Sequence, residues 1–506
     1  MRKARFIFNN DGTFLLSNHL HGGRRLSVAD VHAYVDQVAD TGVTSFFICS
    51  GSSMPYYASR HERTIGCLGP QTPAGDGSHP HGADNCELYG EHAVALGECD
   101  TDIVEQCVLR AHARGMEAGI SMRMNDLHFT DPSICFPLGQ GDFWLEHAEY
   151  HLGTAAPSGW HTKGAHDFSH AAVREYKLQL FEEICANFDA DAVELDFMRF
   201  PVYFADGQGP QCTPLMTEFV RRARQIADAA GERRGRRLEL GVRLPVEMKG
   251  ARHLGFDPVT YARERLVDFI TVTPFLHDLP SVPVAAFRNE LGDDHLPIYA
   301  GLMSNARWGP LSHGGFRARA ANCYRDGADG LCLFNFFFTQ EEVPQGKVAT
   351  GPSRILLHEL GSPESLERRN KLYDVGIRSG YREVDPDPTL PAELTAGAEL
   401  FLEVALAEAM PPEPTPLLFV GTRGANDLAC EWNGRLLDRM DGLAFASEYG
   451  AGRSLEQGDG VVGFVLRGSD LRPGGNVLRL ETAAGGELIS VELAVSHGPV
   501  EECGYF

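Results

Sequence analysis

Residues 192–201 read AVELDFMRFP, an apolar run into which Glu194, Asp196 and Arg199 are crowded. A buried strand avoids such groups, because an uncompensated ion in a low-dielectric interior costs several kcal/mol or shifts its pKa until it is neutral. The run should therefore end at a working surface. Side chains alternate along a strand, so Glu194 and Asp196 point the same way, with Asp196 nearer the end.

The neighbouring sequence repeats the same unit. Short β-rich runs are expected at RFIF (5–8), SFFICS (45–50), EAGISM (117–122), AVELDF (192–197), LELGVR (238–243), DFITVT (268–273), PIYAGL (297–302) and GLCLFNF (330–336). Amphipathic stretches of helical length separate them. One opens at Ser27, an N-cap residue, and another stops at Gly115, which suits a helix C-terminus. Eight strands each followed by a helix predict an α/β fold, a closed (β/α)8 TIM barrel, over an open doubly wound sheet. No Gly-rich phosphate fingerprint follows the first strand, which weakens a nucleotide-binding reading. The connections 51–100 and 123–168 are far longer than usual. Both follow strands, so they belong to the face on which such barrels build their sites, as walls or as subunit contacts.

Past residue 380 the pattern changes to short alternating runs such as ELFLEVAL, LLFVGT, NVLRLET and LISVELAV, bounded by Gly, Pro and Asn. This predicts a C-terminal all-β sandwich domain. The expected organisation is a barrel over 1–380 and a β-sandwich over 381–506. The stretch LRPGGNVLRLE resembles galactose-binding-like accessory modules.

Composition narrows the partners. The 506 residues are 43% hydrophobic and 23% charged, ordinary for a globular chain, and the formal net charge is −24. Polyanions are held by clustered Lys and Arg, so neither nucleic acid nor an anionic membrane is expected as a partner. No run approaches the roughly 20 apolar residues of a membrane helix. The start, MRKARFIFNN, lacks the apolar core of a secretory signal. The twelve cysteines form no C-x-x-C pair, and Cys49, Cys185 and Cys332 sit in apolar settings, which reads as reduced, core-packed thiol. These features favour a cytoplasmic protein. The β module is a candidate contributor to a homo-oligomer interface.

In a barrel of this kind, polar residues at the C-terminal strand ends converge on one pocket. They are Asn9, Asn10 and Asp11 after the first strand, and Arg123, Asn125, Asp126 and His128 after the third. The fourth gives Glu194, Asp196 and Arg199, the fifth Arg243 and Glu247, and the sixth Thr273, His277 and Asp278. The seventh gives Ser304, Asn305, Arg307 and Trp308, and the eighth Asn335 and Gln340. Acids and arginines dominate. Paired carboxylates in a partly desolvated cleft can split their pKa values, one ionised and one protonated, as cleavage of a glycosidic bond requires. The alternative for Glu194 is a deep polar residue paired with Arg123 or Arg243. Arg123, Arg199, Arg243 and Arg307 either bind an anionic sugar through bidentate forks or simply neutralise Glu194 and Asp196.

The stretch ADAVELDFMRFP resembles the strand-four signature of the glycosyl-hydrolase-like barrel families, with Asp191, Asp196, Arg199 and Pro201 on matching positions and Ala192 where Gly is usual. FIFNNDG and MRMNDLH add to the resemblance, which covers residues 1 to about 340. A related chitinase pattern ends in a catalytic Glu, and that position is Met198 here. The resemblance implies a glycoside hydrolase acting on an oligo- or polysaccharide, uronic or sulfated if the arginines bind anions. Asp196 is its expected nucleophile or base, with Asp278 or Asp126 as proton donor. Glu194 would tune them, and Asn10, Asp11, Arg123, Asn125, His128, Arg199, Arg243, His277, Asn305, Arg307, Trp308 and Asn335 would hold substrate. No cofactor and no metal are expected: the His19/His21 pair stands about ten residues beyond the first strand, whereas metal-dependent barrel hydrolases carry it on the strand. The competing readings are a non-catalytic carbohydrate-binding barrel and a metal-dependent hydrolase.

Overall fold

The structure, a computed structural model, describes residues 2–16, 24–65, 83–128, 130, 140–159, 161–275, 279–303, 311–336, 353–375, 381–387, 389–408, 416–425, 427–440 and 459–504. Eight strands close into a barrel in chain order: β1 (Arg5–Asn10), β2 (Ser45–Cys49), β3 (Glu117–Arg123), β4 (Ala192–Asp196), β5 (Glu239–Leu244), β6 (Phe269–Val272), β7 (Ile298–Met303) and β8 (Gly330–Phe334). The ladders from β1 to β6 are parallel. Each strand is followed by a principal helix: α1 (Val28–Ala39), α2 (Ile103–Ala113), α3 (Ala171–Asn187), α4 (Gly209–Arg234), α5 (Pro258–Arg263), α6 (Val284–Leu291), α7 (His313–Arg325) and α8 (Arg354–Glu359). The predicted α/β barrel is therefore what the chain forms.

The caps are the ones read from the sequence. Ser27 begins α1 with a reciprocal box, its hydroxyl accepting from the Asp30 amide and the Asp30 carboxylate accepting from the Ser27 amide. Gly115, at φ 77°, ends the turn after α2 in a left-handed conformation that glycine adopts without cost.

Alternation along the strands sorts the barrel interior into layers. At the N-terminal end Arg5, buried inside the barrel, donates to Glu117 at 2.7 Å and to Glu239 at 2.6 Å, while Lys3 pairs with both carboxylates from outside. The Arg5 guanidinium lies 5.0 Å over the Phe269 ring. Above it Phe47 and Phe269 meet edge to face, ring centres 6.3 Å apart, and fill the axis. Gly119 and Gly241 make room for them: a Cβ on Gly119 would lie 2.3 Å from the Phe47 ring, and one on Gly241 2.1 Å from the Phe269 ring. We expect Gly241→Ala to lower stability by about 1–3 kcal/mol, the usual cost of overpacking a filled core. Denaturant titration checks it, and an unchanged midpoint would mean that Phe269 has free space to retreat into.

After the barrel come β9 (Lys371–Asp374), β10 (Ala392–Leu394), β11 (Glu399–Leu406), β12 (Leu417–Arg423), β13 (Ala429–Trp432), β14 (Arg435–Leu436), β15 (Asp438–Arg439), β16 (Asp459–Val465), β17 (Gly474–Glu481) and β18 (Gly486–Val495). One sheet runs β10-β18-β12-β16-β15, with β9 also on β18, and the other runs β11-β17-β13-β14. Their inward residues, among them Leu406, Leu418, Trp432, Phe464, Leu478 and Leu493, share one core, which is the sandwich the alternating runs predict.

By contacts the chain divides into two compact units, Met1–Phe275 with Ala286–Tyr299, and Leu276–Ala285 with Ala300–Phe506. Within the second, α7 is tied down by buried polar groups. Arg317 donates to Glu359 at 2.8 Å, Arg319 to Asp374 at 2.7 Å, and Asn322 bridges the carbonyls of Pro280 and Ala405. Cys49, Cys185 and Cys332 are buried free thiols. Among the described residues no helix is long and apolar enough to cross a membrane.

Candidate active site

The strand register brings the charges of three neighbouring strands together. Arg123 of β3 stands opposite Asp196 of β4, and Asp196 opposite Arg243 of β5. Two residues deeper, Ser121 stands opposite Glu194. The same alternation turns Asn9 into the barrel. Its neighbours Phe8 and Asn10 face outward, Phe8 against Phe46 and Tyr34, and Asn10 donating to the Tyr34 hydroxyl at 3.0 Å.

Glu194 is wholly buried and saturated. It accepts from Arg243 at 2.6 Å, from the Thr271 hydroxyl at 2.7 Å and from the Ser121 hydroxyl at 3.3 Å. This is the deep pairing with Arg243 that the sequence left open as an alternative to chemistry.

Asp196 sits nearer the mouth. One carboxylate oxygen accepts from the amides of Met198 at 2.9 Å and Arg199 at 3.1 Å, and the other lies 3.5 Å from the Arg243 guanidinium. The backbone makes this clamp by turning sharply after Arg199. Phe200 takes φ 60°, a left-handed conformation disfavoured for a bulky residue, and its ring packs between His128 and Phe275, with centroids 4.9 and 5.8 Å away.

Asp126 forms the second charged centre. It accepts from Arg123 at 2.9 Å, from the His128 amide at 2.9 Å and from His128 Nδ1 at 2.6 Å. His128 Nε2 lies 2.8 Å from Arg199 Nη2, which can only donate. The proton is thus on Nδ1 and the imidazole is neutral. Burial holds the imidazole below its ordinary pKa, and Arg199 adds to this against the pull of Asp126. Burial alone would lift the Asp126 carboxyl, but His128, Arg123 and Arg199 outweigh it and keep it far below the usual carboxylate range. A group so firmly ionised is a poor proton donor.

The remaining residues divide. Asp11 is buried with its carboxylate 3.6 Å from Arg123, and Gly12 beside it lies flat on the Tyr56 ring, 2.5 Å from where a Cβ would stand. Asn125 spends its amide on backbone, donating to the carbonyls of His166 and Val202 and accepting from the His166 amide, so it ties loop segments together. Asp191, on the signature, lies before β4 and accepts from the Ala118 amide, beside His112 and Arg236, at the opposite end from Asp196. Trp144 donates to the Gly164 carbonyl and stacks on His151, so it stiffens its own connection. Asn335 follows β8 with φ 50°. His277, Asp278, Ser304, Asn305, Arg307, Trp308 and Gln340, and the His19/His21 pair, lie outside the described residues.

The sequence reading missed three members. Ser121 and Thr271 complete the shell of Glu194, and Lys177 is buried on α3 near Arg123. Lys177 did carry a signal. Val173, Lys177, Leu180 and Ile184 form one helical stripe, apolar except for the lysine.

No protein-family model matches the sequence, and a search of curated proteins gives no significant match. Among solved structures, an endo-β-1,4-mannanase from Thermotoga petrophila is similar at 10% identity over 98% of each chain, with a TM-score of 0.43. A maltogenic α-amylase, AmyB, from Thermotoga neapolitana is similar at 12% identity over 96% of this chain and 98% of that one, with a TM-score of 0.37. Similarity of this degree does not transfer an activity, so the chemistry of the mouth has to rest on its own residues.

Proposed function

We propose that the protein is a glycoside hydrolase whose mouth cleaves a glycosidic bond of an oligo- or polysaccharide. The observation that carries this reading is Asp196, delivered to the end of β4 between two arginines in register and positioned by two backbone amides. A carboxylate so held suits a nucleophile or a base at a developing oxocarbenium ion. The proton donor is Asp278, since Asp126 is kept ionised by its partners. Glu194 keeps Arg243 in place beneath Asp196, and Asp126 orients His128 and Arg123. Asn9 supports a polar ligand at this mouth: it is 1% exposed, and neither its amide nitrogen nor its carbonyl oxygen has a hydrogen-bond partner.

A uronic or sulfated sugar is the finer form of the proposal. Arg123 spends Nη1 on Asp126, and its Nε and Nη2 have no hydrogen-bond partner among the described residues, Nη2 lying 3.6 Å from Asp11. We further propose a boundary between barrel and sandwich near residue 380, and a galactose-binding-like accessory role for the C-terminal sandwich.

One observation favours a second reading, a barrel that binds carbohydrate without cutting it: the described acids of the mouth, Asp11, Asp126 and Asp196, are all tied to cations or amides. Chromogenic glycosides together with neutral, uronic and sulfated oligosaccharides separate the two. Hydrolysis of any of them supports the enzyme, and saturable binding without hydrolysis supports the second reading.

A further inference from the structure

Beside the mouth, between the barrel wall and α3, lies a small half-open cleft of about 30 Å³, room for a few water molecules or one small anion. The helix contributes Lys177 with the apolar Leu180 and Ile184, β3 contributes Met122 and Arg123, and the serine-rich turn at 50–53 contributes Ser53. Three side chains of this lining keep hydrogen-bonding capacity that no described residue uses. Lys177 is 8% exposed, has no carboxylate within ion-pairing distance among the described residues, and holds its ammonium 5.4 Å from the Tyr176 ring centre. The Ser53 hydroxyl and Arg123 Nε and Nη2 are buried without hydrogen-bond partners among the described residues, Nη2 lying 3.6 Å from the Asp11 carboxylate.

The nearby acids are engaged elsewhere. Glu62 accepts from the amides of Arg63, Asp142 and Phe143 and from the Tyr176 hydroxyl, and Asp126 is held by Arg123 and His128. An ammonium facing the cleft, a guanidinium edge and a hydroxyl therefore share one space whose lining holds no carboxylate, Asp11 reaching only Arg123 Nη2, at 3.6 Å. Buried polar groups in native proteins are nearly always satisfied, so the Ser53 hydroxyl and Arg123 Nε call for an acceptor or donor from a ligand.

We propose that this cavity binds an oxyanion, a carboxylate, sulfate or phosphate group seated against Lys177, Ser53 and Arg123. Its oxygens would accept charge-assisted hydrogen bonds from the ammonium and the guanidinium edge, and a neutral one from the hydroxyl. Burial supports the assignment by bringing the Lys177 pKa down to about 8, with Glu62 and Asp126 offsetting part of the loss. An anion there would grip Arg123 from the side opposite Asp126, coupling the cavity to the mouth. The anion is either a free ion or an acidic substituent of the substrate, and the second source rests on the glycosidase reading.

The test is calorimetric titration of the full chain with sulfate, phosphate and glucuronate at constant ionic strength. We expect saturable binding of at least one of them. Lys177→Met should weaken it about tenfold or more, the worth of a charged hydrogen bond, and Ser53→Ala about fivefold. Should Lys177→Met fail to fold, Ser53→Ala decides alone, since it removes only a small unpartnered hydroxyl. Sulfate that inhibits hydrolysis of acidic but not neutral glycosides identifies a substrate substituent, and an equal effect on both identifies a free ion. No saturable binding of any of the three anions, or affinities unchanged in both variants, overturns the proposal. Binding is read without turnover, so this outcome leaves the glycosidase reading standing, and loss of that reading leaves the anion site standing.

Discussion

Asp196→Asn should lower turnover roughly 10²–10⁴-fold, the range associated with removing a positioned catalytic acid or base, while leaving substrate affinity within a few fold. The substitution suits the geometry. The amide oxygen of Asn still accepts from Met198 and Arg199, so the turn after β4 keeps its clamp, and what disappears is the charge facing Arg243. Steady-state kinetics with the best glycoside from the substrate panel, beside an affinity measured directly, gives the result. Turnover within threefold of wild type would remove Asp196 from the chemistry and leave the barrel to a different acid or to binding alone.

Glu194→Ala should have the largest effect on stability, a loss of about 3–5 kcal/mol, because it removes the carboxylate hydrogen-bonded to the buried Arg243 and leaves Asp196, at 3.5 Å, to balance that charge. Removing one partner of a buried pair costs far more than the pair contributes. Glu194→Gln should lose less, since it keeps an acceptor for Thr271 and Ser121. Thermal and denaturant midpoints of the two variants check the order. Equal midpoints for Glu194→Ala and wild type would show that Asp196 suffices to balance Arg243, and would reopen a chemical role for Glu194.

Much of this arrangement was legible in the sequence, for physical reasons that differ residue by residue. The barrel could be read because a parallel strand buried on both faces is a continuous apolar run and each run is followed by a helix-length amphipathic stretch. Strand alternation similarly put Glu194 and Asp196 on one face, and their shared partner Arg243 on the adjacent strand was among the candidates. What the chain order does not disclose is which of two inward polar groups is saturated. Glu194 and Asp196 look alike in sequence, and only the register, which sets Ser121 beside Glu194, and the Thr271 bond separate them. Asn9 and Asn10 are adjacent and chemically identical, yet one faces the axis and the other Tyr34, a distinction that depends on strand phase. Asn125 looks like a ligand group but serves the backbone, because a long connection must satisfy its own polar groups somewhere.

The two phenylalanines across the axis bear on how a long glycan would be handled. With Phe47 and Phe269 closing the interior and the Arg5 cluster beneath them, the pit has a floor. A polymer cannot thread through such a bowl. Under the glycosidase reading proposed above, it would lie over the rim, present one linkage downward, and release both fragments by the side from which it arrived.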